Sequence, residues 1–110
     1  MKTLDKSNFK EVIENSKGLV LVKFFSPDCK HCDAADATLE YMETLYKHLQ
    51  IMALDVDHSI GLALYLKIGP LPTFKFFRDG EAVYTQVGLA HPSVLEALTR
   101  TLYEKTEIST

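Results

Sequence analysis

Apolar and polar positions follow two different periods along this chain, and the points where the period changes divide it into elements. A short extended start, Lys2 to Leu4, leads into a first helix on which Phe9, Val12 and Ile13 recur at helical spacing. Asp5 or Ser7 supplies the expected N-cap, and the helix is predicted to stop between Asn15 and Gly18. Leu19 to Phe25 is almost continuously apolar and rich in β-branched and aromatic residues, the pattern of a strand buried on both faces. Ser26, Pro27 and Asp28 break it. Beyond Cys32 a long helix is predicted, with Ala35, Leu39, Met42, Leu45, Tyr46 and Leu49 on its inner face.

The second half repeats the alternation. Ile51 to Val56 reads as another buried strand and Ser59 to Leu66 as a short helix, halted by Gly69-Pro70-Leu71-Pro72. Thr73 to Arg78 and Ala82 to Val87, joined through Asp79-Gly80, form the clearest hairpin. Pro92 opens a final helix that turns Leu95, Leu98 and Leu102 inward, and the polar residues from Lys105 onward are expected to fray. The predicted order is βαβαβαββα. Strands separated by helices call for parallel pairing and the hairpin for an antiparallel edge, so the fold class is an α/β sandwich with helices on both faces of a mixed sheet.

Composition narrows the function. At 110 residues with 46% apolar content, the chain suits one domain with a core of its own, and no repeat or linker divides residues 1–110. A net charge of −3 argues against a nucleic-acid partner and offers no polybasic patch to a membrane. The first ten residues contain no apolar signal segment, and a cytoplasmic setting is the expectation.

The two cysteines change the picture most. Cys29 and Cys32 are separated by Lys30-His31 and sit where a buried strand gives way to the long helix. A disulfide closing so short a loop constrains little chain entropy, so the pair is read as chemical, not structural. At a helix N-terminus, unpaired N–H groups favour negative charge, and Cys29 is expected there as a partly populated thiolate. Lys30 and protonated His31 push the same way, and Asp28 pushes back. Cys29 is then the nucleophile and Cys32, one turn further in, resolves the mixed disulfide.

The segment from Leu4 to Tyr103 resembles thioredoxins. The resemblance rests on Val22-Lys23-Phe24-Phe25 before the CxxC, Leu54-Asp55-Val56-Asp57 on the next strand, Leu71-Pro72-Thr73, Asp79-Gly80-Glu81 and Val87-Gly88. It implies the thioredoxin fold and a thiol–disulfide oxidoreductase acting on protein disulfides and regenerated by a thioredoxin-reductase-type donor. Such a protein needs no cofactor and no metal, since the dithiol carries the electrons, and is taken as a monomer. The resemblance further implies that Pro72 is cis and faces Cys29, that Leu71 offers backbone groups to an extended substrate, and that Gly88 borders the groove.

Departures from the family pattern are informative. Asp28 stands where thioredoxins carry tryptophan, and Lys30-His31 where they carry Gly-Pro. Histidine before the second cysteine resembles protein disulfide isomerases and bacterial disulfide oxidases, which implies a couple more oxidising than a standard thioredoxin. The family's buried Asp–Lys pair is replaced by Lys23 and Ala53. Lys23 either stabilises a Cys32 thiolate or takes its proton, or else carries its charge out to the surface.

Asp33, Asp36, Glu40 and Glu43 step along what reads as a solvated, non-catalytic face, although Asp28, Asp33 and Asp36 together could select basic partners. His48, His58 and His91 read as solvated or capping residues, and Phe74, Phe76 and Phe77 as packing. Two other classes compete with the oxidoreductase. One is a non-catalytic module that uses the groove to hold a partner. The other is a soft-metal carrier for Cu(I) or zinc, although adjacent His31 and Cys32 suit a tetrahedral site poorly.

Overall fold

A computed structural model describes residues 1–108, with side-chain surroundings through Thr106. The strands are β1 (Lys2–Leu4), β2 (Leu19–Phe25), β3 (Gln50–Asp55), β4 (Thr73–Arg78) and β5 (Glu81–Val87). The helices are α1 (Phe9–Asn15), α2 (Asp36–Leu45), α3 (Ile60–Tyr65) and α4 (Pro92–Ile108). This is the order the hydrophobic pattern predicts.

The strands form one five-stranded sheet in the order β1-β3-β2-β4-β5. β3 runs parallel to both β1 and β2, while β4 lies antiparallel to β2 and to β5. The helix between β3 and β4 therefore does not make a parallel crossover. The chain enters β4 through the Pro70–Pro72 turn, where the Leu71-Pro72 peptide is cis as the resemblance implied. Asp79 and Gly80, with φ of 54° and 84°, give the tight hairpin turn positive angles at both central residues.

Because side chains alternate along a strand, β2 feeds two cores. Leu19 and Leu21 pack with Leu39 and Met42 of α2, Leu95 of α4, and Phe74 and Phe76. Val20, Val22 and Phe24 pack on the other face with Phe9 and Ile13 of α1, Leu54 and Phe77. Both faces are covered, which explains why β2 reads as continuously apolar. Lys23 shares the parity of Leu19 and Leu21 and therefore points toward α2.

Several boundaries differ from expectation. Neither Asp5 nor Ser7 caps α1 directly; Asn8 occupies that position. The Asp5 carboxylate instead accepts the Ser7 amide and hydroxyl, and Asn8 Oδ1 accepts the Asp5 amide, which organises the turn ahead of the helix. The Ser7 hydroxyl is the first cause holding the Asp5 carboxyl below its ordinary range. The long helix begins as a 3-10 turn, Cys32–Ala35, and becomes α-helical only at Asp36. Leu45 is 48% exposed, contrary to its predicted inward position. At 100° per residue it lies about 90° off the stripe centred between Ala35, Leu39, Met42 and Tyr46. Leu49 is buried, but in the turn after α2. The fraying expected from Lys105 does not occur through Ile108: Thr106 is buried, donates to the Leu102 carbonyl and accepts from Arg78. Residues 109 and 110 lie outside the described residues.

Candidate active site

The end of β2 delivers Phe25 to a turn in which the Cys29 amide donates to the Ser26 carbonyl at 3.0 Å. The Ser26 hydroxyl donates to Asp57 Oδ2 at 2.9 Å and accepts the Asp28 amide at 3.2 Å. Ser26 and Asp57 thus fasten the approach to the CxxC onto the segment after β3. Sequence reasoning gave this pair no role, since a serine before a proline signals only a turn.

Cys29 and Cys32 are joined as a disulfide, with 5.5 Å between their Cα atoms. Cys29 is half-buried, whereas Cys32 is only 1% exposed. Cys29 does not stand at an α-helix N-terminus as expected. The Cys32 amide donates to the Cys29 carbonyl at 3.4 Å and the Ala34 amide to the His31 carbonyl at 3.2 Å, so the turn is 3-10-like. Regular helix, with its summed dipole, begins at Asp36, a full turn beyond Cys32.

Ser26, Asp28, Cys29, Lys30, His31 and Leu71 line one shallow depression. Lys30 and His31 are exposed at its rim. Leu71 enters from the loop before β4, so the cis Leu71-Pro72 peptide and the half-buried cysteine border the same space. Gly88, at φ 79°, donates its amide to the Pro72 carbonyl at 2.8 Å, extending the β4–β5 pairing to the loop. The structure therefore gathers Leu71, Pro72 and Gly88, distant from Cys29 in sequence, around one end of the sheet.

Lys23 is buried, with its side chain only 5% exposed, so it does not carry its charge alone to the surface. Its Nζ lies 2.7 Å from Asp36 Oδ1, 3.4 Å from the Cys32 carbonyl oxygen and 4.9 Å from the Phe25 ring centre. Asp36 is accordingly not part of a free acidic face; it is the partner of Lys23. Two signals point to it in the sequence: the strand parity of Lys23 and the four-residue step from Cys32 to Asp36. Ala53, beside Lys23 on β3, contributes no charge.

The histidines and phenylalanines given no catalytic role sit in capping, exposed or packing positions. His91 is exposed, and its Nδ1 accepts the Ser93 amide at the start of α4, a capping role. His58 is exposed and lies 3.2 Å from Asp55. The phenylalanines of β4 pack into the two cores, with Phe77 edge-on to Phe9. Among the described residues, no group of three or more His, Cys, Asp or Glu is arranged to hold a metal ion, and no helix is long and apolar enough to cross a membrane.

Comparison with known proteins agrees with this geometry. The thioredoxin family model matches residues 1–101. Thioredoxin Asp f 29 of Aspergillus fumigatus is 34% identical over 98 residues, covering 87% of this chain and 88% of that protein. Protein disulfide-isomerase 2-3 of Arabidopsis thaliana is 40% identical over 80 residues, 72% of this chain, although the match spans only 18% of that longer protein. The solved structure of Plasmodium falciparum thioredoxin superposes with a TM-score of 0.83 at 27% identity, covering 92% of this chain and 98% of that one. A cysteine pair at disulfide distance, set beside a cis-proline loop on this sheet, is thus the redox centre of a thiol–disulfide oxidoreductase, and the chain belongs to the thioredoxin family.

Proposed function

We propose that the chain exchanges electrons with protein disulfides, with Cys29 as the attacking sulfur and Cys32 as the resolving one. The observation that carries this is the difference in access: Cys29 borders the depression, and Cys32 is buried behind it. In the reducing direction, the Cys29 thiolate attacks a substrate disulfide, forming a mixed disulfide and releasing one substrate thiolate. Cys32 then gives up its proton and attacks Cys29 Sγ, the internal disulfide closes, and the second substrate sulfur leaves. Two electrons pass to the substrate. In this reading Leu71, Pro72 and Gly88 receive the substrate backbone, and exposed Asp28 and Asp33 favour basic substrate surfaces. Asp36 is engaged by Lys23 and drops out of that rim.

The couple is proposed to be more oxidising than a standard thioredoxin, above about −270 mV, because Lys30 and His31 flank Cys29 with cationic capacity. The proposed setting is a cytoplasmic monomer recycled by a thioredoxin-reductase-type donor. The direct test is trapping. Cys32→Ser should accumulate a mixed disulfide between Cys29 and a protein substrate, resolved by added dithiol, and Cys29→Ser should form none. If Cys29→Ser traps substrate as efficiently, the roles are reversed. A native disulfide that never exchanges returns the chain to the binding-module reading.

A further inference from the structure

Among the described residues, the ammonium of Lys23 is a buried charge that contacts the resolving cysteine without belonging to the CxxC. Its position follows from topology. On β2 it is flanked by Ala53 of β3 and Phe74 of β4, neither of which can neutralise it. Its counter-charge comes from above the sheet, from Asp36 at 2.7 Å, on the first residue of α2. The 3-10 turn carrying Cys32 spans the gap between them, and the ammonium reaches the Cys32 carbonyl at 3.4 Å. A long stem buried to 5% exposure, gripped at its tip by a carboxylate, a carbonyl and an aromatic face, holds the charge in one place.

A fixed cation held at the backbone of a buried cysteine stabilises an anion on that residue and has no comparable effect on a neutral disulfide. We infer that Lys23, anchored by Asp36, is a positioning residue of the Cys29–Cys32 couple that holds negative charge on Cys32 when the disulfide opens and so biases the protein toward oxidising substrate dithiols. The inference deepens the proposed oxidoreductase reading and rests on it. The step balances. A substrate thiolate attacks Cys29 Sγ, a substrate–Cys29 bond forms, the Cys29–Cys32 bond breaks, and its electron pair stays as a thiolate on Cys32, the residue whose carbonyl Lys23 contacts. The second substrate thiol loses its proton to solvent and displaces Cys29, leaving the substrate oxidised and the pair reduced by two electrons.

The experiment is the equilibrium of the full chain with glutathione buffers at pH 7, read by thiol-alkylation mass shift, for the wild type, Lys23→Met, Lys23→Arg and Asp36→Asn. Lys23→Met is expected to move the equilibrium about tenfold toward the disulfide, about 30 mV more reducing. Lys23→Arg should return within threefold of wild type. Asp36→Asn, which keeps the cation and removes its neutralising partner, should move severalfold the opposite way. A merely structural pair would lower the stability of oxidised and reduced protein alike and leave the equilibrium unmoved. If Lys23→Met does not fold, the sign of the Asp36→Asn shift decides. Variants that all stay within twofold of an exchanging wild type, or an Asp36→Asn shift toward the disulfide, overturn the inference alone. A wild type that exchanges with glutathione at no ratio overturns the oxidoreductase reading and this with it.

Discussion

Removing either partner of the Lys23–Asp36 pair should affect stability very unequally. The two side chains are 5% and 33% exposed, so the carboxylate can be rehydrated where it stands and the ammonium cannot. Asp36→Ala leaves the ammonium buried without a counter-charge, a change that costs about 3–5 kcal/mol where both partners are fully enclosed. Water admitted at the half-open Asp36 position reduces this to about 2–3 kcal/mol. Lys23→Met keeps most of the stem's packing, removes the charge that needs desolvating, and leaves Asp36 at the edge of solvent. It should fall within about 1 kcal/mol of wild type, with either sign. Urea unfolding of the oxidised protein at pH 7 reads both. With a slope of about 1.5–2 kcal/mol per molar, Asp36→Ala should lower the midpoint by about 1–2 M and Lys23→Met should move it by less than about 0.7 M either way. The double variant should recover most of the loss, because no unpaired charge remains. Equal losses from the two single variants would refute the reasoning and place the energy in the packing of the lysine stem.

Three further outcomes follow from the packing and the titrating groups. Leu39, fully buried between α2 and the sheet, should cost about 3–5 kcal/mol as Leu39→Ala, whereas the exposed Leu45 as Leu45→Ala should cost about 0.5 kcal/mol or less; thermal midpoints compare them. Gly88→Ala, at φ 79° with open space around its added Cβ, should lose only the left-handed backbone penalty of about 1–2 kcal/mol. Gly18→Ala at φ 78° should lose more by denaturant unfolding, because its Cβ would meet the His48 carbonyl oxygen at 3.3 Å. Tyr46 is pushed up from 10.0 to about 12, first by burial and then by its 2.7 Å hydrogen bond to Glu96. A raised folded value stabilises fully below pH 10 and is lost as pH rises from 10 to about 12, so the folded state weakens across that window. Ultraviolet phenolate titration should show a late step that Tyr46→Phe removes.

Local pattern carried far in this chain because its elements are short and each period is unambiguous. Leu19 to Phe25 reads as a strand covered on both faces, Asp79-Gly80 as a tight hairpin turn, and the CxxC after that strand as a redox pair in preference to a metal or binding site. These readings depend on neighbours within a few residues, where sterics, turn geometry and thiol chemistry are already decided.

Other features needed the folded chain. The antiparallel placement of β4 against β2, the meeting of Leu71 with Cys29, and the Gly88 bond to Pro72 join residues far apart in sequence, which no spacing encodes. The 3-10 start of the long helix moved Cys29 off an α-helix terminus, and a rotation of about 90° put Leu45 in solvent. Asp36 shows the limit most plainly. In sequence, strand parity and a four-residue step hint at it among several acidic residues on a polar face; only in the fold is it the counter-charge of a buried lysine. The chain by itself determined which residues are apolar, which can turn and which can react. Tertiary structure decided which charges meet, because pairing depends on distance through space and on the exclusion of water, and neither exists until the sheet and helices close over Lys23.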